Sequence, residues 1–256
     1  MTTNERLTAA LATPDQHLDP AIAAGYDRAA GARFSTEVIG RTVDVLSELV
    51  DGGPAVEFAI GTGRIALPLA ARGVLVSGMD ISEPMLAELR RKPGAEAIDT
   101  IVGDMTSSVM RTDASLVYLV YNTIGNLRTQ AQQVACFRNA AAHLRPGGRF
   151  VIEVGVPQLD QLPPGQTIRP FAWTDDYLGF DDYVDPVGQV LVSRHYRFDG
   201  DSVVRISGAF RYVWPSELDL MAQLAGMELE SRWSDWDRSA FTRDAPSHVS
   251  VWRRLP

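Results

Sequence analysis

The stretch Ala55-Val56-Glu57-Phe58-Ala59-Ile60-Gly61-Thr62-Gly63-Arg64-Ile65-Ala66 constrains this chain more than any other. Val56, Phe58 and Ile60 are strand formers, and Gly52-Gly53-Pro54 bounds the run on its N-terminal side. Gly61 and Gly63 permit positive φ and close approach of a ligand to the backbone. The run Arg64 to Arg72 reads as a helix, with Pro68 in or just past its first turn, where a missing N–H is tolerated. Strand, glycine turn and helix N-terminus together make a nucleotide-binding corner, or else an ordinary strand-to-helix turn holding two glycines.

The flanking sequence repeats that rhythm. Val74–Asp80 is an apolar strand ending in a carboxylate, and Ser82 is a candidate N-cap with Glu83 and Pro84 in the first turn behind it. Strands at about 97–102, 115–120 and 149–154 alternate with helices, the last helix running from about Thr129 to Leu144 and stopping at Pro146-Gly147-Gly148. Strands separated by helices of these lengths pair in parallel, which predicts a doubly wound sheet. Before it, 20–31 is compatible with a helix interrupted by Gly25, and Thr36–Val50 carries an amphipathic stripe of Val38, Ile39, Val43, Leu46 and Val50.

From 157 the prolines at 157, 163, 164 and 170 break helices, and two long strands follow, Gly188–Phe198 and Ser202–Trp214, around an Asp199-Gly200-Asp201 turn. Val204, Ile206, Phe210 and Tyr212 alternate with Arg205, Ser207 and Arg211, which predicts one buried and one wet face. This is an antiparallel insert. Its segment 171–183 is rich in aromatics (Phe171, Trp173, Tyr177, Phe180, Tyr183) and carboxylates (Asp175, Asp176, Asp181, Asp182), either a wall for a flat or cationic organic acceptor or the glue of the insert. A helix opening at Pro215 and two final strands, about 227–233 and 247–253, close the chain; with no helix between them these two are antiparallel or distant. The expected division is an N-terminal helical segment (1–50) covering the site, a core (51–156), an insert or lid (157–213) and the rest of the core (214–256).

A net charge of -8 argues against a nucleic-acid partner, which needs a basic footprint. No apolar run approaches the ~18 residues of a membrane span, the N-terminus lacks a signal-peptide apolar region, and the single cysteine rules out an internal disulfide, so the cytoplasm is expected. His17, His143, His195 and His248 are scattered and Cys136 stands alone, so no metal site is expected. Cys136 reads as a packing residue, and His195 as a pocket base or a structural histidine.

Gly61-x-Gly63-x-x-Ala66 with Asp80 beyond it fits the dinucleotide fingerprint, which keeps an NAD(P)-dependent oxidoreductase as one reading. Four further features point elsewhere: Glu57 four residues before Gly61, a third strand ending in Gly103-Asp104-Met105, Pro-Gly-Gly before strand five, and the terminal strand pair. As an ordered set these resemble the class I S-adenosylmethionine-dependent methyltransferases over roughly 20–156 and 214–256, with Ala59 where the family usually has its first glycine. The Tyr121-Asn122-Thr123-Ile124-Gly125-Asn126 segment is similar to small-molecule members.

The resemblance implies a mostly parallel seven-stranded sheet with an antiparallel last strand, S-adenosylmethionine as cofactor, and N- or O-methylation of a small molecule by a monomer or homodimer. A noncatalytic S-adenosylmethionine-binding protein is the remaining reading. The implied cofactor residues are Asp80 for the ribose diol, Asp104 for the adenine amino group, and Ile81, Met85 and Met105 for the ring. Glu57, Ala59, Gly61, Gly63 and Arg33 serve the amino-acid end, with Tyr26 and Tyr121 bordering the site. Methyl transfer from a sulfonium is mostly in-line positioning in a dry pocket, so no single catalytic residue is implied.

Overall fold

Short, mostly apolar strands without a regular polar face are buried on both sides of a parallel sheet. β1 (Ala55–Phe58), β2 (Val76–Asp80) and β4 (Ala114–Leu119) are buried at every residue. The structure, a computed structural model, describes residues 18–29, 35–200 and 202–256, together with Glu5, Thr8 and Ala12. β3 (Asp99–Val102) is the exposed edge, and β5 (Leu144–Gly155), β10 (Met227–Trp233) and β11 (Ser247–Arg254) complete a seven-stranded sheet of order β10-β11-β5-β4-β1-β2-β3. β1 to β5 pair in parallel, and β11 runs antiparallel to both β5 and β10.

Helices cover both faces. α1 (Pro20–Ala29) runs unbroken through Gly25. α2 (Thr36–Leu49), α3 (Ala66–Ala70) and α4 (Glu83–Arg90) bring Leu46, Leu69, Leu86 and Leu89 against Tyr118, Val151 and Val251. α5 (Gln130–His143) and α6 (Pro215–Leu224) bring Phe137, Leu218 and Met221 against Phe58, Phe150 and Trp252. Phe137 meets Phe150 and Trp252 edge-on, with centroids 5.1 and 5.3 Å apart. The helix starts have local causes: Ser35 and Ser82 accept from the N–H groups of Val38 and Met85, and Thr129 with Gln132 forms a capping box. Cys136 is buried in the α5 face of the core, where burial pushes its thiol up.

A second sheet holds the insert: β6 (Ile168–Trp173), β7 (Tyr177–Asp185), β8 (Val190–Asp199) and β9 (Ser202–Arg211), all antiparallel in chain order. Four details differ from the sequence reading. The aromatic and acidic segment, in which the sequence reading named no individual strand of the antiparallel insert, forms β6 and β7. Pro146-Gly147-Gly148 lies inside β5, because Ala114 and Leu116 of β4 pair with Leu144 and Arg149 and the residues between bulge, with Gly147 at φ +77°. Val38 is exposed on α2. The faces of β9 are also not as the alternation implies. Arg211 is 4% exposed while Val204 is 55% exposed, since the outer half of β9 projects beyond the core and Arg211 finds a carboxylate inside.

That carboxylate is Glu217, at the start of α6. Arg211 Nη2 lies 2.6 Å from Glu217 Oε1 and 2.8 Å from Gln189 Oε1, and Nη1 donates to Gln133. Gln130 and Gln189 also donate to Glu217, at 2.7 and 2.9 Å. A buried guanidinium with this many partners ties the insert to α5 and α6.

Candidate active site

The strand order reverses at β1: the chain steps from β1 out to β2 and β3, then returns to β4 on the other side. In doubly wound sheets ligands bind outside the strand C-termini at such a switch point. The loops after β1, β2 and β4 therefore define the candidate site.

The loop after β1 holds three left-handed residues, Ala59 (φ +52°), Gly61 (φ +56°) and Gly63 (φ +79°). A Cβ on Gly63 would stand 2.9 Å from the Leu89 side chain, so glycine there lets α4 close on the loop. Among the described residues a Cβ on Gly61 would meet nothing nearer than the Ala59 carbonyl at 4.0 Å. Asp80, at the end of β2 and 8% exposed, joins two loops: Oδ2 accepts the Gly61 N–H and Oδ1 the Ser82 N–H, each at 2.8 Å. These two bonds use part of a carboxylate's four lone-pair sites.

Glu57 lies beneath this loop. It is 3% exposed and its Oε2 accepts the Tyr118 phenol at 2.9 Å. Burial is the main cause raising its carboxyl to about 8, with the Tyr118 hydrogen bond opposing.

α1 is fastened over the same loop. Thr62 Oγ1 donates to Asp27 Oδ1 at 2.6 Å, and Lys92, the only lysine of the chain, reaches Asp27 Oδ2 at 2.5 Å and the Thr62 carbonyl at 2.7 Å. Tyr26, next to this clamp, is pushed up to about 12 by burial and then by Tyr121, with Arg64 opposing and Asp80 and Asp27 adding to the rise. Tyr26 thus shares a neighbourhood with Tyr121, Arg64 and Asp80. The Arg64 guanidinium lies 5.1 Å from the Tyr121 ring centroid.

Ile81, after β2, is 49% exposed, and Met85 on α4 is buried. The Gly103 N–H bonds the Asp80 carbonyl at 2.9 Å, which brings the loop after β3 beside Asp80. Asp104 there is exposed, with Oδ1 accepting the Thr106 N–H at 2.8 Å, while Met105 is buried and its carbonyl is held by Asn139 Nδ2 at 3.0 Å. Arg33 lies outside the described residues.

Three contributors escaped the sequence reading. Arg64 sits within the glycine loop and was readable there as a cation beside the turn. Glu153, a lone acid in the apolar run Val151–Val154, accepts the Tyr121 N–H at 3.1 Å. The Asp27–Thr62–Lys92 clamp has no local signal, since its members are distant in sequence. On β8, His195 is engaged within the insert, its Nδ1 2.5 Å from the Tyr177 hydroxyl and its Nε2 3.3 Å from Ser193 Oγ. The insert aromatics divide between uses: Tyr183 packs edge-on against Tyr212, Phe180 stacks on Tyr196, and Trp173 is 80% exposed.

A methyltransferase-domain family profile matches residues 55–148, which hold the loops after β1 to β4. The solved CcbJ methyltransferase from Streptomyces caelestis is 32% identical, with 92% of this chain and 96% of that one superposed at a TM-score of 0.82. This chain is a class I S-adenosylmethionine-dependent methyltransferase. The methyltransferase is also 24% identical to a Streptomyces cypemycin N-terminal methyltransferase over 182 residues, 70% of this chain and 74% of the relative. It is 33% identical over 97 residues to the dTDP-3-amino-3,6-dideoxy-alpha-D-glucopyranose N,N-dimethyltransferase of Streptomyces fradiae, 38% of this chain and 37% of the relative. The glycine turn by itself suited a dinucleotide equally well; these likenesses decide for the sulfonium methyl donor. Among the described residues no helix is long and apolar enough to cross a membrane.

Proposed function

We propose that this methyltransferase moves the methyl group of S-adenosylmethionine to an amine nitrogen of a small molecule, with an amino sugar the leading class. The observation that carries the reading is the corner at the switch point, where Asp80 bridges the Gly61 and Ser82 amides and no described residue crowds the Cβ position of Gly61. In this reading Asp80 receives the ribose diol. Ile81, Met85 and Met105 cover the adenine, Asp104 accepts from its amino group, and the Ala59–Gly63 backbone cradles the amino-acid end over Glu57. Tyr26 and Tyr121 close the crevice, and Arg33 belongs to the amino-acid end.

Two considerations favour nitrogen. Two curated relatives are named for N-methylation, one of a peptide N-terminus and one of an amino sugar. An amine that arrives neutral needs no base to attack a sulfonium methyl, whereas a hydroxyl or an ammonium does. Tyr26, pushed up to about 12 by burial, keeps its proton at neutral pH and is not that base. A lone buried thiol suits a reducing compartment, which supports placement in the cytoplasm. The test is incubation with methyl-labelled donor and paired acceptors: nucleotide-linked amino sugars, the matching hydroxy sugars, and short peptides. Label entering only the hydroxy sugars would overturn the amine reading.

A further inference from the structure

Tyr121 and Asn122 follow β4 with φ of +66° and +59°. Two consecutive non-glycine residues in the left-handed region persist only where their surroundings over-determine them, and such strain gathers at functional sites. The β4–β5 ladder ends at Leu119 and Ile152. Beyond it the next residue of β5 holds the turn twice. Glu153 Oε2 accepts the Tyr121 N–H at 3.1 Å, and the Glu153 carbonyl accepts the Asn122 N–H at 3.1 Å. Asn122 Oδ1 returns the grip, accepting the Gly155 N–H at 2.5 Å. So held, the Tyr121 ring faces the Arg64 guanidinium of the glycine loop at 5.1 Å.

We propose that Glu153 is a positioning residue for methyl transfer, holding the strained Tyr121–Asn122 turn so that the Tyr121 ring walls the donor crevice against the glycine loop. The proposal rests on the reading above, in which Tyr121 borders the donor. Glu153 is half-buried at a strand end and supplies the acceptor atom for the Tyr121 N–H. Glutamine offers an amide oxygen at the same reach. Alanine offers none, which leaves the Tyr121 N–H without its partner and releases the turn toward negative φ.

The test uses the full chain and S-adenosylhomocysteine, by calorimetry well below each variant's melting temperature. Glu153→Ala should weaken binding about 10-fold, the size expected for losing one such hydrogen bond, and Glu153→Gln should stay within about 2-fold of wild type. Tyr121→Ala should show the Glu153→Ala loss, and the double variant should lose no more, because both act through one wall. Unchanged affinity in Glu153→Ala beside a lowered melting temperature would make Glu153 a structural residue and overturn the proposal. Glu153→Gln binding as weakly as Glu153→Ala would overturn it too, by showing that the charge matters. A wild type that does not bind S-adenosylhomocysteine would overturn the donor reading and the proposal with it.

Discussion

Tyr118 donates its phenol to Glu57 Oε2 at 2.9 Å directly beneath the glycine loop, and both side chains are buried. The bond opposes the rise that burial imposes on Glu57, yet the carboxyl stands near 8 in the folded chain.

The sign of the pH dependence follows. A carboxyl whose folded value lies above its unfolded 4.5 binds a proton in the folded state that the unfolded chain has released, so stability falls as pH rises from about 4.5 to about 8. His248 acts oppositely: burial, then Arg232, lowers it to about 3, so the unfolded chain alone binds the proton below 6.5 and stability rises up to that pH. The two slopes offset each other between about 4.5 and 6.5, and the Glu57 slope stands alone above that. Urea denaturation from pH 6.5 to 8.5 should therefore show falling stability in wild type and a flatter profile in Glu57→Gln. Equal slopes in the two proteins would refute the assignment.

Ala59 stands at φ +52°, where a Cβ costs about 1–2 kcal/mol. Glycine removes that strain and adds unfolded-chain entropy worth about 0.4–1 kcal/mol. Ala59→Gly should therefore raise stability by roughly 0.5–1 kcal/mol, read as a higher urea midpoint at unchanged slope. A lower midpoint would mean that the alanine methyl makes packing contacts that outweigh its backbone strain.

Asp80→Ala should lower both stability and donor affinity, because the same carboxylate accepts the Gly61 and Ser82 amides. Leaving these N–H groups unmade costs about 1–3 kcal/mol, and S-adenosylhomocysteine should bind about 10- to 100-fold more weakly. Calorimetry and thermal melting check the two effects separately, and unchanged affinity would remove Asp80 from the site.

Breaking the Arg211–Glu217 pair should be costly. Glu217→Ala leaves a guanidinium that is 4% exposed without its carboxylate, a loss of about 3–5 kcal/mol. Arg211→Met combined with Glu217→Leu should recover much of it, since an apolar replacement of a buried pair is often near neutral. Denaturation of the single and double variants decides this. A double variant no better than Glu217→Ala would show that Gln133 and Gln189 need the ion pair for their own hydrogen bonds.

What the sequence determined by itself was local. The apolar run before Gly61, the carboxylate closing Val76–Asp80, the Ser82 cap and the alternation of strand with helix depend on neighbours within a few residues. They yielded the doubly wound sheet and its switch-point corner. The missing crossover helix left the last two strands antiparallel or distant, and the β10–β11 ladder makes them antiparallel neighbours.

Tertiary structure decided whatever depends on partners far along the chain. Arg211 alternates with apolar residues and so reads as wet, but a carboxylate on α6, Gln133 of α5 and Gln189 of the turn before β8 meet it inside. The proline of β6 and the glycine and three aspartates of β7 mute the strand signal, and the two strands are held because β8 offers β7 a ladder and β7 offers one to β6. Asp27 and Thr62 are 35 residues apart, and no periodicity connects them. Glu153 and Tyr121 meet because β4 and β5 are parallel neighbours whose hydrogen-bonded ladder ends one residue before Glu153. A strained turn is affordable only where such a neighbour holds it, and propensity along the chain carries no record of that neighbour.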